Sequence, residues 1–422
     1  MAGAEWLDGL IGVLQAGQLA LLRALAGLGL VDAVHGQPAW PWDVRLSGEN
    51  LRIDAAQARR LGMTALVLAA ALAVLALAAV WRRRRWPLLA GGAMLLLAAP
   101  WPEGRVLAVA ATPASFHRAP GRFDAASIAR GRGLHALHCA ACHGSDGRGQ
   151  GPLAAAQPVW PPDLAGPLVW RRADGDLLWH VLHGMRDRHG APSMPAFGDR
   201  LSDADAWALI DFMKAQAAGE GLRATGAWAS PVALPDAGVR CDDRPAQSLS
   251  RWRGQRIRVV ADADARGVPP REDPRFVTVW LRPGPAARAS ARVPAAPDSP
   301  DSPDAPAATG TAGCVLDDPD AWAAFSLVAG TASLDGTRFI ADRDGWLRAL
   351  NRPGQGDWSD EDLLCRTPSA ASAAPTATNP AVASASTPAV RWPSASPADG
   401  LEALIRRMDA EPVRAAQGGF VH

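Results

Sequence analysis

The 422-residue chain lacks tyrosine, and Lys214 is its only lysine. Its 43 basic and 42 acidic residues nearly cancel, so no basic excess suggests a nucleic-acid partner. Five cysteines in so long a chain exclude a small disulfide-stapled protein. The N-terminal sequence MAGAE lacks the basic region of a cleaved signal peptide. We therefore expect insertion into a membrane, if it occurs, to be directed by apolar helices that remain in the protein.

Two apolar runs predict a transmembrane helical hairpin. The first, residues 61–81, carries no charge over its whole length. At about 1.5 Å per residue it reaches the ~30 Å of a bilayer core. The second, residues 86–102, is shorter, and four consecutive arginines separate the two, Arg82 to Arg85. Arginine is costly inside a bilayer and is enriched in cytoplasmic loops, so this turn should be cytoplasmic. Tryptophans mark the expected interfaces, at Trp81, Trp86 and Trp101.

The N-terminal segment, residues 1–35, supports two interpretations. It is rich in leucine, but Gln15, Gln18 and Arg23 interrupt the apolar run. These polar residues fall within one helical sector, which is typical of an amphipathic helix at a membrane surface. The aliphatic content is also enough for a third transmembrane helix. The sequence leaves both interpretations open.

The remainder divides by composition into a compact helical domain, residues 124–218, and a mixed strand and helix region, residues 228–366. Two stretches rich in Ala, Pro, Ser and Thr, residues 288–313 and 367–400, cannot bury a core and are predicted to be disordered. A short amphipathic helix should occupy residues 401–422. We expect a multi-domain protein: a transmembrane hairpin, an all-α domain, and then an α/β domain.

The most specific motif is Cys139-Ala-Ala-Cys142-His143, the C-x-x-C-H pattern of covalent haem attachment. Two thiols one helical turn apart can add to the two vinyl groups of haem, and the next imidazole then lies beneath the iron. A zinc site would need a second Cys or His pair at regular spacing, and none follows. A thioredoxin-like redox pair also has a C-x-x-C pattern, but the flanking sequence favours haem.

That flanking sequence resembles a class I cytochrome c, in particular the small cytochrome c domains of cbb3-type oxidase subunits. The resemblance begins with GRGLHALHCAACHGSDGRGQGP at residues 131–152. It continues through DGDLLWHVLHG (174–184), SMPAFG (193–198) and LSDADAWALIDFMK (201–214). It covers about ninety residues. It implies an all-α cytochrome c fold, with the helix at Ala125–His138 crossing the last helix of the domain.

The resemblance also implies the ligands of one covalently bound haem c. Cys139 and Cys142 would be the covalent tethers, His143 the proximal iron ligand and Met194 the distal one. Met194 lies in a Gly- and Pro-rich loop that can hold a thioether over a haem face. Met185 is the alternative distal ligand, and three histidines offer bis-His ligation instead, namely His180, His183 and His189. His/Met ligation raises the reduction potential and suits electron transfer.

The C-terminal region has a weak resemblance to thioredoxin-like redoxins, carried by strand-like segments at residues 257–260 and 276–280 and by FIADRDGW at 339–346. Asp344-Gly345 predicts a hairpin turn. The family's nucleophilic cysteine is missing, because Ala261 and the following residues stand in its place, and the proline expected before Phe339 is absent. Two of the three remaining cysteines, Cys241, Cys314 and Cys365, could pair in an oxidising compartment.

These features predict a membrane-anchored cytochrome c of the bacterial inner membrane, with its haem and C-terminal domains in the periplasm. It would transfer single electrons in a respiratory or related redox chain and would not itself be an enzyme. Its partners would be membrane lipid and redox proteins, such as an oxidase, a dehydrogenase or another cytochrome. The alternative is a haem-containing redox sensor, or an assembly or copper-handling factor for a terminal oxidase.

Overall fold

The computed structural model describes residues 2–47, 55–101, 107–166, 168–228, 230–242, 244–263, 273–284, 313–355, 358, 362–364, 397–413, 415–416 and 420–421. These residues form two compact units, residues 1–117 and residues 118–415, apart from a few residues near the C-terminus. The two segments predicted to be disordered lie outside the described residues, except for residue 313 and residues 397–400.

The described residues of the first unit form three α-helices. Helix α1 runs from Ala2 to Gly27, α2 from Ala55 to Val80 and α3 from Arg85 to Ala98. A single 3-10 turn, Arg82–Arg84, joins α2 to α3 and makes them a hairpin. Among the described residues, Ala56–Val80 is the one helical segment that is both long and apolar enough to cross a membrane, and α3 is apolar but shorter.

One glycine, Gly92, and one hydroxyl, that of Thr64, lie at the contact between the two helices of this hairpin. A Cβ atom added at Gly92 of α3 would lie 2.8 Å from Leu75 of α2, so the helices approach closely there. Thr64 near the start of α2 donates a hydrogen bond of 2.7 Å to the carbonyl of Pro100, which follows α3. The N-terminal part of α2 and the C-terminal end of α3 therefore lie at the same end of the hairpin.

Two small antiparallel ribbons accompany the hairpin. Strands β1 (Ala33–Val34) and β2 (Gln37–Pro38) follow α1. Strand β3 (Val44–Leu46) pairs with β4 (Ala108–Ala110), so that the chain before α2 meets the chain after α3.

The second unit begins with five helices. They are α4 (Ala125–His138), α5 (Ala140–His143), α6 (Leu168–Arg171), α7 (Asp174–His183) and α8 (Asp203–Thr225). The predicted bounds of α4 are confirmed. Asp124 caps α4 by accepting a hydrogen bond of 2.8 Å from the Ser127 amide, and Ser202 with Asp205 forms a capping box on α8.

Helix α4 crosses α8 at a glycine. A Cβ atom at Gly131 would lie 1.9 Å from the carbonyl oxygen of Ala208, so no larger residue fits at this crossing. Ile128 and Leu209 are fully buried beside it. This is the helix crossing that the resemblance to cytochromes c implied.

An eight-stranded sheet follows, with the strand order β7-β14-β13-β10-β11-β12-β8-β9. Strands β10, β11 and β12 are parallel, and the pairings on either side of them are antiparallel. The predicted turn at Asp344-Gly345 joins β13 to β14. The strands are β7 (Val232–Ala233), β8 (Gly238–Cys241), β9 (Gln247–Ser248), β10 (Arg256–Ala261), β11 (Phe276–Arg282), β12 (Cys314–Asp317), β13 (Arg338–Ala341) and β14 (Trp346–Asn351).

A helix covers each face of this sheet. Helix α9 (Pro319–Ala329) packs on one face through Phe325, which contacts Phe339 with ring centroids 5.1 Å apart. Helix α10 (Pro397–Ala410) packs on the other through a cluster that includes Leu404 and Ile340. Helix α10 begins at Pro397, inside the stretch predicted to be disordered up to residue 400. A last ribbon pairs β15 (Ala415–Ala416) with β16 (Phe420–Val421).

The cytochrome-like helices and the sheet share one hydrophobic core. Ile128 of α4 and Leu222 of α8 belong to the same buried cluster as Phe325 of α9 and Phe339 of β13. Backbone hydrogen bonds of 2.9 Å also join Ala125 and Phe123 to Asp236, which precedes β8. The helical region and the sheet region therefore form one body rather than two independently tethered modules.

The structure pairs Cys241 with Cys314 in a disulfide. The two residues are register partners on the antiparallel strands β8 and β12, with Cα atoms 4.0 Å apart. Cys365 lies outside the described residues. From the sequence alone, this was one of three possible pairings among Cys241, Cys314 and Cys365.

Candidate haem-binding site

The Cys-x-x-Cys-His motif occupies one helical turn directly after α4. The Cys139 amide donates to the carbonyl of His135, and the His143 amide donates to the carbonyl of Cys139, each at 2.9 Å. Gly144, with φ of 78°, ends the turn in a conformation that favours glycine. The two thiols and the imidazole are thereby fixed on a single short segment.

The chain after the motif folds back over it. The amides of Gly149, Gly151 and Leu153 donate to the carbonyls of His143, Cys142 and Ala141 at 2.8 to 3.1 Å. A Cβ atom at Gly151 would lie 2.4 Å from the carbonyl oxygen of Ala141. The glycine-rich run after the motif is therefore needed for this close approach, and it holds the motif rigidly.

His143 is buried, with 9% of its surface exposed. Burial lowers the pKa of its imidazole, an effect that the nearby Pro162 carbonyl partly opposes. That carbonyl nevertheless does not make a hydrogen bond of normal geometry to Nδ1, which has no partner. A neutral imidazole has a lone pair on one ring nitrogen, which is what an iron ligand requires.

The two motif cysteines are free and half-buried. Burial, and secondarily the neighbouring Cys142, raises the pKa of the Cys139 thiol to about 11. At neutral pH this side chain is a thiol rather than a thiolate. It is therefore not set up as a thiolate nucleophile of the kind that thiol–disulfide exchange needs.

Met194 lies on a short hairpin formed by β5 (Met185–Arg186) and β6 (Pro192–Met194). Met185 and Met194 are register partners on this hairpin. Met185 is 41% exposed, whereas Met194 is half-buried. Both candidate distal ligands therefore lie at one place in the fold, on the paired strands of this hairpin.

The segment that follows this hairpin is hydrogen-bonded to α7 and lies next to the C-terminal end of α4. Backbone amides of Phe197 and Gly198 donate to the carbonyls of Val181 and Leu182 in α7. The Phe197 ring lies 6.0 Å from the ring of His138, the residue before Cys139. The loop that carries Met194 is therefore adjacent to the segment that carries the cysteines.

The three alternative histidines lie on α7 and at the hairpin tip. His183 stacks on Trp179 with ring centroids 3.7 Å apart, and His189 is exposed and hydrogen-bonded to Arg188. Burial lowers the pKa of His180. His135, on α4, is buried against Phe212, and burial together with His143 lowers the pKa of His135 to about 4. We interpret His135 as a core residue.

One notable group was not identified from the sequence. The Asp211 carboxylate on α8 accepts a hydrogen bond of 2.6 Å from the Ser127 hydroxyl on α4. Burial raises the pKa of Asp211 to about 7, against the opposing effects of Ser127 and Lys214. Lys214 itself pairs with Asp174 at 2.6 Å. The sequence did contain a signal for a buried acid. Asp211 stands next to Phe212 on a helix that has many buried positions.

The residues present fit a covalent haem. The motif provides two free thiols on one turn and a buried imidazole with an unpartnered nitrogen, and the neighbouring hairpin carries a thioether. Imidazole and thioether are the donor pair of electron-transfer cytochromes. Among the described residues, no cluster of three or more His, Cys, Asp or Glu side chains is arranged to hold a bare metal ion.

One comparison with known proteins matches the region that contains the candidate site. Residues 126–213 match the family model of cytochrome c oxidase, cbb3-type, subunit III. No curated protein matches the chain. Among solved structures, a chain of the Kuenenia stuttgartiensis reducing HAO-like protein complex is 22% identical, with a TM-score of 0.21. That match covers 29% of this chain and 57% of the other, so it spans less than two thirds of the matched chain. Residues 126–213 are a cytochrome c domain of the cbb3 type, which implies haem binding and electron transfer.

Proposed function

We propose that this protein is a membrane-anchored c-type cytochrome that carries one covalent haem and transfers single electrons in a respiratory or related redox chain. The observation that carries the proposal is the rigid turn at Cys139–His143, inside the region that matches the cytochrome family. The bound haem would supply one-electron chemistry through its iron. The protein would contribute binding, orientation and electrostatics.

Each site residue has a role in this proposal. Cys139 and Cys142 would form the two thioether bonds. His143 would be the proximal ligand, held neutral by burial. Met194 would be the distal ligand, because it is less exposed than its hairpin neighbour Met185. A thioether ligand favours the ferrous state and raises the reduction potential relative to bis-His ligation.

We propose that the α2–α3 hairpin anchors the protein in the bacterial inner membrane. The pairing of β3 with β4 supports this arrangement, because it brings the chain before α2 and the chain after α3 to the same side. The arginines between the helices would then be cytoplasmic. The haem domain would be periplasmic, and so would the sheet region, because it shares a core with the haem domain.

For the C-terminal region we propose a thioredoxin-like fold without thiol chemistry. The parallel strands β10, β11 and β12, followed by the antiparallel hairpin β13–β14, support a relation to redoxins. Ala261 ends β10, at the position where a redoxin would place its cysteine. The Cys241–Cys314 disulfide cross-links β8 and β12 and would be structural.

The test of electron transfer uses the full chain purified in detergent after expression with haem c maturation machinery. We expect a reversible one-electron titration of one haem per chain. We also expect rapid oxidation of the reduced protein by membranes that contain a terminal oxidase. A protein that exchanges electrons slowly with every respiratory partner, but binds oxidase subunits lacking their cofactors, would instead be the assembly or sensor factor.

A separate experiment tests the membrane topology. Alkaline phosphatase is active only outside the cytoplasm. We expect activity when it is fused to the C-terminus of the full chain, and none when it is fused after Arg84. An inactive C-terminal fusion would contradict the periplasmic location of the haem.

A further inference from the structure

Helix α1 buries two glutamines together with aliphatic residues and exposes further aliphatic residues on its other side. Its glutamines are buried, with Gln15 at 4% and Gln18 at 8% exposure. Ile11, Leu19 and Leu22 are buried on the same side, whereas other aliphatic residues are exposed, with Val13 at 70% and Leu21 at 44%. A helix on the surface of a water-soluble protein carries mainly polar and charged residues on its exposed side. The exposed side of α1 therefore suits contact with lipid better than contact with water.

The buried glutamine has specific backbone partners. The Gln18 side chain donates to the carbonyl of Leu46 at 2.9 Å, and its carbonyl oxygen accepts from the Leu46 amide at 2.7 Å. Leu46 is the last residue of β3, so the amide of Gln18 extends the hydrogen bonding of this strand. The contact fixes the middle of α1 against the β3–β4 ribbon.

The ribbon sits beyond the end of the proposed membrane hairpin. Strand β4 follows α3, and β3 precedes α2. Ile11 of α1 packs with Leu61, where the predicted span begins, and with Leu107, next to β4. The stretch of α1 from Ile11 to Gln18 therefore lies at the outer end of the hairpin.

This position is incompatible with α1 as a third transmembrane helix. A span over residues 9–31 would put Gln18 near the bilayer centre, and with it the β3–β4 ribbon. A two-stranded ribbon has open edges whose backbone groups have no partners in hydrocarbon, and such edges are not found facing lipid at that depth. The sequence left this alternative open, and the contacts of Gln18 decide against it.

We propose that α1 lies on the periplasmic surface of the membrane, with its exposed aliphatic side in the lipid. This inference rests on the proposed hairpin anchor. The stripe that would enter the lipid consists of Val13, Ala16, Ala20, Leu21 and Ala24. Arg23 is the only charged residue between residues 9 and 30. Its long side chain can reach the headgroup phosphates while the aliphatic neighbours stay in the acyl region.

The first experiment locates the N-terminus in the full chain. An epitope tag at the N-terminus should bind antibody in intact spheroplasts, as should a tag at the C-terminus. A tag inserted between Arg84 and Arg85 should bind only after permeabilisation. An N-terminal tag that needs permeabilisation, together with an accessible C-terminal tag, would establish a third span and overturn the inference. An inaccessible C-terminal tag would instead contradict the proposed topology of the haem domain.

The second experiment measures lipid contact directly. In a Cys365→Ser background, Val13→Cys or Leu21→Cys is labelled with a fluorophore, and the full chain is placed in phosphatidylcholine nanodiscs. Nitroxides on the lipid acyl chains should quench the dye strongly at both positions. The control, Asp199→Cys on the exposed surface of the cytochrome domain, should show little quenching. Quenching at residues 13 and 21 no greater than at residue 199 would overturn the inference.

Discussion

Met185 and Met194 stand directly opposite each other on the two strands of one hairpin. Cross-strand partners project to the same face of a ribbon, so both thioethers are on the same side. They differ in burial, because Met185 is 41% exposed and Met194 is half-buried. The hairpin thus brings the two candidate distal ligands together, and Met194 is the less exposed of the two.

This relationship predicts different outcomes for two matched variants. Met194→Ala should remove the weak far-red absorption band that a methionine–iron bond gives to ferric haem, and it should lower the reduction potential. Met185→Ala should retain the band. Absorption spectra of the two oxidised proteins make the comparison. Loss of the band in Met185→Ala alone would assign the distal ligand to Met185.

The junction between α8 and α9 predicts a second pair of variants. A Cβ atom at Gly219 would lie 1.8 Å from the carbonyl oxygen of Leu327, whereas nothing lies within 4 Å of one at Gly221. Gly219→Ala should therefore destabilise the protein by about 1–3 kcal/mol, as overpacking does. Gly221→Ala should be neutral or stabilise it by up to ~1 kcal/mol through helix propensity.

Unfolding of the full chain in detergent, followed by circular dichroism, provides the measurement. Each variant adds one methyl group to α8. Intrinsic helix propensity therefore cannot explain why one variant is less stable than the original protein and the other is not. Equal midpoints for Gly219→Ala and Gly221→Ala would show that the cytochrome domain and the sheet do not share a core.

Asp211 predicts how stability changes with pH. Its pKa is raised to about 7 by burial and by the nearby carboxylates of Asp124 and Asp174, despite Ser127 and Lys214. The folded protein then holds a proton that the unfolded chain has already lost above about pH 4. The contribution of Asp211 to stability is present below pH 4 and is lost as pH rises to 7.

Asp211→Asn should remove this contribution to the pH dependence. Relative to the variant, the original protein should lose on the order of 2–4 kcal/mol between pH 4 and pH 7. Asp199→Asn, at an exposed position, serves as the control and should leave the pH profile unchanged. Parallel profiles for the original protein and Asp211→Asn would contradict the raised pKa.

Local signals were sufficient for the cytochrome segment. The motif at Cys139–His143 depends on one helical turn, and α4 begins at a capping residue, Asp124, that is adjacent in sequence. The turn at Asp344-Gly345 is equally local. Each of these features is fixed by residues within a few positions of one another, so the sequence alone predicts them.

Features that depend on distant partners could not be predicted in the same way. The Cys241–Cys314 pairing requires the register of two strands that are 73 residues apart. Arg256 of β10 is buried, and Asp409 of α10 pairs with it at 2.5 Å across 153 residues. The strand-like segment at residues 257–260 could be recognised from local sequence, but the packing of α10 on the sheet could not.

The most direct test of the central claim is covalent haem attachment to Cys139 and Cys142. The full chain, expressed with haem c maturation machinery, should give a peroxidase-active band on a denaturing gel. It should also retain haem after acid–acetone extraction. The Cys139→Ala/Cys142→Ala variant should give no band, whereas the control Cys241→Ser/Cys314→Ser should retain it. Absence of the band from the unmodified chain, or its persistence after loss of Cys139 and Cys142, would contradict the account.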